Sequence, residues 1–211
     1  MSLGKIAVIG DSYSTFKGII PKEFAAYYGA DLRPEHKVCS PHDTWWQIVA
    51  DKTNSEILFN CSFSGSTICY TTYNNVHSPS TSFIGRTKSH LSKYFNEIDT
   101  IFIFGGTNDS WAGSPLGNLK FENITEEDLN SILPATCYLL DYLKQNCPKT
   151  KIYILTNDTF FKPELINGIK DAAKHYNAQC IQIANISLLN EHPDFKGMNQ
   201  IAEIILNYLN K

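Results

Sequence analysis

Apolar residues recur along this chain in two rhythms. The first is a set of five short, nearly continuous runs: Lys5–Ile9, Glu56–Asn60, Thr100–Phe104, Lys151–Thr156 and Gln179–Ala184. Runs of this length without strict alternation are the pattern of strands buried on both faces of a parallel sheet. The second rhythm has a helical period. Asp43 precedes Trp46, Ile48, Val49 and Ala50 and is placed to cap a helix carrying them. Residues 83–95 form a weaker stripe of Ile84, Leu91 and Phe95. Residues 125–146 open with Thr125 and three acidic residues, which suit a helix N-terminus, and continue as Leu129, Ile132, Leu133, Cys137, Leu140 and Leu143. Pro134 interrupts that stripe and predicts a kink or a fresh start. Pro163 opens another helix with Ile166, Ile169, Ala172 and Ala173 facing inward. A last helix carries Met198, Ile201, Ala202, Ile205, Leu206 and Leu209.

Strands alternating with helices predict an α/β fold with a mostly parallel sheet, organised as one domain over residues 1–211. Such sheets bind ligands at the carboxyl ends of their strands, so the loops after Ile9, Asn60, Phe104 and Ala184 are the places to look for chemistry. The first holds Gly10-Asp11-Ser12-Tyr13-Ser14, where a serine follows a sharp turn. A plain turn with a capping serine would look the same. The second holds Ser62-Phe63-Ser64-Gly65-Ser66, in which Gly65 can present an unshielded N–H. The third is Gly105-Gly106-Thr107-Asn108-Asp109, with an amide donor at Asn108. The fourth carries His192-Pro193 and then Gly197 at the mouth of the last helix. A neutral histidine can take a proton from a serine and return it to a leaving group. Together the four loops place a nucleophile, oxyanion donors and a base on one sheet edge, the parts that acyl transfer needs.

Composition narrows the field. The chain has 211 residues, 43% hydrophobic and 18% charged, with a formal net charge of −3 and no basic stripe, so nucleic acid is a poor partner. No apolar run approaches the roughly 18 residues of a membrane span. With neither a span nor a secretory leader visible, a cytoplasmic location is the expectation, a trimmed secreted precursor being the alternative. The six cysteines include no C-x-x-C pair, and reduced core thiols are expected.

In these blocks the chain resembles the SGNH (GDSL-like) hydrolase superfamily: Ser12 in G-D-S, Gly65 in S-x-S-G, Asn108 in G-G-T-N-D and His192 in H-P, in order and spread over residues 5 to 210. The resemblance implies a flavodoxin-like three-layer α/β/α sandwich with a five-stranded parallel sheet. It implies that Ser12 attacks an ester carbonyl, that the Ser12 N–H, the Gly65 N–H and the Asn108 side chain hold the oxyanion, and that no metal or organic cofactor takes part. The G-x-S-x-G motif of the α/β-hydrolases is absent. The chain departs from the family at Leu189, where an Asp usually stands three residues before the histidine. A backbone carbonyl near Leu189 or Asn190 is the favoured substitute, which makes a Ser-His dyad. The Glu191 side chain, Asp194 and Asn185 are the alternatives.

The substrate is expected to be a small acyl ester, such as an acetylated carbohydrate, with Tyr13, Tyr27, Tyr28, Trp45 and Trp111 as candidates to crowd the site and stack on sugar. A lipid or lysophospholipid ester and a non-catalytic carbohydrate-binding role are the alternatives. Arg86 either reaches the site to bind an anionic substrate group or lies on the solvated surface.

Overall fold

The computed structural model describes residues 2–211. Strands β1 (Lys5–Gly10), β2 (Glu56–Asn60), β3 (Thr100–Phe104), β4 (Lys151–Asn157) and β5 (Gln179–Ile183) form one parallel sheet in the order β2-β1-β3-β4-β5. The α-helices are α1 (Trp45–Lys52), α2 (Phe83–Ser89), α3 (Thr107–Ala112), α4 (Ile132–Asn146), α5 (Pro163–His175) and α6 (Phe195–Leu209). The strand order reverses between β1 and β3, which is the switch point where ligands bind in doubly wound folds.

Alternation along the strands divides the interior into two cores. Ala7, Ile9, Ile101, Ile103, Ile152 and Ile154 pack on one side against residues of α2, α4 and α5. Ile6, Val8, Phe102, Phe104, Tyr153 and Leu155 pack on the other against α1 and α6. The result is a three-layer α/β/α sandwich. Ile101 is fully buried, and truncating it to alanine would cost about 2–5 kcal/mol.

Burial on both faces holds for β1, β3 and β4. It fails for β2 and β5, whose exposed positions follow from their place at the sheet edges. The 125–146 stripe divides as Pro134 predicts. A short 3-10 turn spans Asp128–Asn130, and α4 starts afresh at Ile132 with the proline in its first turn, where no i→i−4 bond is lost. Residues 83–95 also divide, into α2 and a 3-10 turn over Leu91–Tyr94. Asp43 closes a capping box with Ser40 on a separate 3-10 turn, and Thr44 precedes α1. Two elements escape the periodicity altogether: α3, too short to show a stripe, and a hairpin of β6 (Leu188–Leu189) with β7 (His192–Pro193).

Candidate active site

Ser12 sits where β1 ends. Gly10 is needed there because an added Cβ would lie 2.5 Å from Ser14 Cβ and 2.7 Å from Ser62 Oγ. The chain then enters a 3-10 turn over Ser12–Ser14, capped by Asp11, which accepts from the Tyr13 N–H at 3.0 Å. Three side chains clamp this turn through Ser14. Trp46 Nε1 and Asn60 Nδ2 each donate to its carbonyl at 2.9 Å, and Trp45 Nε1 donates to its Oγ at 3.3 Å. Trp45 is therefore a core residue like Trp46, fully buried and closed to sugar, which corrects the stacking expectation. Asn60, at the end of β2, gave no signal in the sequence beyond its strand-end position.

His192 arrives on the β6–β7 hairpin. Its two connecting residues, Asn190 and Glu191, both have left-handed backbones, with φ of 48° and 61°. That conformation belongs to a type I′ turn, which matches the natural twist of paired strands. Two buried tyrosines pin the hairpin to the first loop: Tyr28 donates to the Pro193 carbonyl at 2.7 Å, and Tyr13 donates to the Glu191 carbonyl. Tyr13 and Tyr28 are thereby spent on structure rather than on a ligand. The hairpin brings His192 Nε2 within 3.0 Å of Ser12 Oγ and sets Nδ1 2.9 Å from the Asn190 carbonyl. None of the other candidates for orienting His192 makes a hydrogen bond to its ring among the described residues. The Glu191 residue is exposed. Asp194 caps α6, accepting from the Gly197 N–H and Ser187 Oγ at 2.8 Å. Asn185 occupies a left-handed turn position after β5.

Candidate donors for an oxyanion lie in the loops after β1, β2 and β3, which neighbour one another in the sheet. Gly65 has φ of +83°, a conformation that favours glycine, and open space where a side chain would stand. Asn108 lies in the first turn of α3, and its Nδ2 is buried without a hydrogen-bond partner. Neither the Ser12 nor the Gly65 N–H is spent on an acceptor among the described residues. Asp109 ties these loops together, its carboxylate accepting from the Ile68 and Cys69 N–H groups. Burial pushes that carboxyl up to about 6.

Arg86 is neither a substrate ligand nor a surface residue. It is fully buried, and its guanidinium donates to the Gly10 carbonyl (3.1 Å), Ser66 Oγ (2.9 Å) and the Thr81 carbonyl (3.0 Å). These bonds strut the Ser12 turn against the Gly65 loop. The stripe of apolar positions around Arg86 carries no sign of this, because a helix stripe does not report where a long side chain ends. Burial pushes the neighbouring Asp11 carboxyl up to about 7, against the opposing pull of Arg86. Burial also drives His192 down to about 4, while the Asn190 carbonyl opposes the shift and His36 and Arg33 add to it. The imidazole is thus neutral at pH 7, with a lone pair available at Nε2.

Tyr27 and Trp111 flank His192. The Tyr27 ring stacks on the imidazole, and the Trp111 ring centroid lies 5.8 Å from it. A cavity of about 500 Å³ lies beside Ser110, Ser114, Leu116 and Phe160, but none of Ser12, Gly65, Asn108 or His192 lines it. Among the described residues no cluster of His, Cys, Asp or Glu could hold a metal ion, and the six cysteines are all unpaired. No described helix is long and apolar enough to cross a membrane.

The model of the family described as GDSL-like lipase/acylhydrolase matches residues 4–209. This chain belongs to that family. A protein of Bacteroides ovatus, assigned to the GDSL-like lipases, shares 40% identity over 100% of this chain and 99% of its own, with a TM-score of 0.91. Another so assigned, from Bacteroides uniformis, shares 33% over 98% and 96%, with a TM-score of 0.85. An acetyl xylan esterase of Butyrivibrio proteoclasticus shares the GDSL-like fold at 18% identity and a TM-score of 0.62, matched over 100% of this chain and 64% of its own. No curated protein is significantly similar in sequence.

Proposed function

We propose that this GDSL-like protein is a serine esterase that removes a small acyl group, such as acetyl, from a carbohydrate. The observation carrying the reading is the relay Ser12 Oγ–His192 Nε2 at 3.0 Å and His192 Nδ1–Asn190 carbonyl at 2.9 Å, beside a buried amide donor with nothing to donate to. In this reading Ser12 Oγ bonds to the ester carbonyl carbon as its proton passes to His192 Nε2. The negative charge on the former carbonyl oxygen is met by the Ser12 and Gly65 N–H groups and by Asn108 Nδ2. The tetrahedral intermediate expels the alcohol, which takes the proton back from His192. Water then adds to the acyl-enzyme with His192 as base, releasing the acid and restoring Ser12. The Asn190 carbonyl does part of the work of the usual carboxylate: it fixes the tautomer and the ring, but supplies no counter-charge for the imidazolium.

A small acyl group suits Ser12 and Asn108, each only 3% exposed, since a long chain would need a wide apolar trough at the nucleophile. A carbohydrate alcohol suits the half-buried ring of Trp111 beside His192 and the exposed ring of Tyr73 beside Asn108. The acetyl xylan esterase among the fold relatives points the same way. Purified protein is expected to release p-nitrophenol from its acetate, to prefer acetylated xylan over long-chain esters, and to be labelled at Ser12 by a fluorophosphonate. Ser12→Ala is expected to abolish labelling and leave the melting temperature unchanged. Absence of both hydrolysis and labelling would overturn the reading and favour a binding role for the same cleft.

A further inference from the structure

The long loop between β2 and α2 ends over the candidate oxyanion site in a small, closed tip. An isolated antiparallel bridge joins Thr71 to His77, and the Thr72 N–H donates to the Val76 carbonyl at 2.9 Å. Asn74 and Asn75 turn the chain with φ of 57° and 56°. The base is anchored outside the loop, where Ser114 Oγ donates to the Thr71 carbonyl at 2.8 Å. Tyr73 lies on this tip. The residue is 39% exposed. Its hydroxyl has one specific bond, a donation to Asn108 Oδ1 at 2.7 Å.

That bond bears on which way the Asn108 amide faces. An asparagine side chain can turn over, exchanging a carbonyl oxygen for an NH₂ group at nearly the same position. With Oδ1 taken by the Tyr73 hydroxyl, Nδ2 is left on the other side, buried and without a partner. Turned over, the amide would present a lone pair where negative charge develops. The donation also polarises the amide and strengthens its N–H groups as donors. We propose that Tyr73 is a positioning residue that holds the Asn108 amide with Nδ2 toward the oxyanion. This rests on the esterase reading given above.

The test is Tyr73→Phe, which keeps the ring and removes only the hydroxyl. Losing one oxyanion donor costs about 10²–10³ in turnover, and Asn108→Ala is expected to fall in that range. Losing only the donor's orientation is expected to lower kcat about ten-fold with KM little changed. Affinity for a boronic acid, which mimics the tetrahedral intermediate, is expected to fall by the same factor. In the double variant the Tyr73→Phe change is expected to add nothing to Asn108→Ala, because the group it positions is gone. A Tyr73→Phe enzyme within two-fold of the parent, beside an impaired Asn108→Ala enzyme, overturns this inference alone. So does an equal Tyr73→Phe penalty in both backgrounds. A parent protein that neither hydrolyses esters nor reacts with the fluorophosphonate overturns the esterase reading and this inference with it.

Discussion

The imidazole of His192 lies flat on the phenol ring of Tyr27, with 3.7 Å between centroids and 6° between planes. The Arg33 guanidinium stands 3.9 Å from the same Tyr27 centroid. Two groups so close to one centroid must occupy opposite faces, so the tyrosine is sandwiched between a cation and the candidate base. The stack shields one face of His192 from water, and burial is the largest cause holding its pKa near 4.

Because the reaction needs neutral His192, kcat/KM is expected to be level through neutral pH and to fall on acidification, with a midpoint near 4. Tyr27→Ala opens the imidazole to water, so the midpoint is expected to climb toward the ordinary histidine value of about 6.5. Tyr27→Phe should leave it in place. A pH–rate profile of the three proteins checks this, and an unmoved midpoint in Tyr27→Ala would refute the role assigned to the stack.

Leu189 pairs directly with His192 across the hairpin, which puts the two side chains on the same face. Leu189→Asp is therefore expected to bring a carboxylate beside the imidazole. An opposite charge within reach favours the imidazolium, so the acidic midpoint should rise by about 1 pH unit or more. Turnover should rise as well, since the cation formed at the transition state gains a counter-charge. Histidine titration followed by NMR reads the shift directly.

Glu191 holds φ of +61°, a conformation that costs a residue with a side chain about 1 kcal/mol or more. Glycine is the residue a type I′ turn prefers there. Glu191→Gly is expected to raise the melting temperature by about 2–4 °C, the shift that roughly 1 kcal/mol gives a chain of this size. Activity should be unchanged, because the turn uses only the Glu191 backbone carbonyl. A large loss of turnover would assign the carboxylate a part in orienting His192.

Replacing Arg86 with methionine removes donors from the Gly10 and Thr81 carbonyls and from Ser66 Oγ, all inside the protein. The Gly10 carbonyl keeps the Phe63 N–H at 3.1 Å, so the Thr81 carbonyl and Ser66 Oγ are the acceptors left without a donor among the described residues. A cost of roughly 2–4 kcal/mol is expected, since each such acceptor costs about 1–3 kcal/mol and the charge no longer needs burying. Thermal denaturation checks this. Hydrolysis of anionic and neutral esters should fall in parallel, because no substrate group reaches the guanidinium. A selective loss on anionic esters would restore Arg86 as a ligand.

Much of this architecture was legible in the chain. The five apolar runs became the five strands: β1, β3 and β4 are buried on both faces and so are apolar along most of their length, and the edge strands β2 and β5 keep enough of that pattern to be recognised. Ser12, Gly65, Asn108 and His192 could be picked out because each follows a strand end, and the strand order places three of those ends side by side. The Pro134 restart was equally local, since a proline without an N–H costs a helix nothing in its first turn and about 3 kcal/mol in its interior.

What escaped was decided at a distance. Trp45 and Arg86 look like surface or site residues until the clamp on Ser14 and the strut between Gly10 and Ser66 are seen. Both contacts join segments dozens of residues apart. The hairpin under His192 carries no alternating pattern, because two-residue strands are too short to show one. Tyr73 was one aromatic in a polar loop, and its meaning lies in a hydroxyl reaching Asn108. The sequence by itself determined the alternation of strands and helices, the mostly parallel sheet and the four residue types at its edge, because hydrophobic period and strand-end position are properties of the chain alone. Only the tertiary structure decided what faces each nitrogen of His192 and each end of the Asn108 amide, because hydrogen bonds depend on where side-chain tips meet.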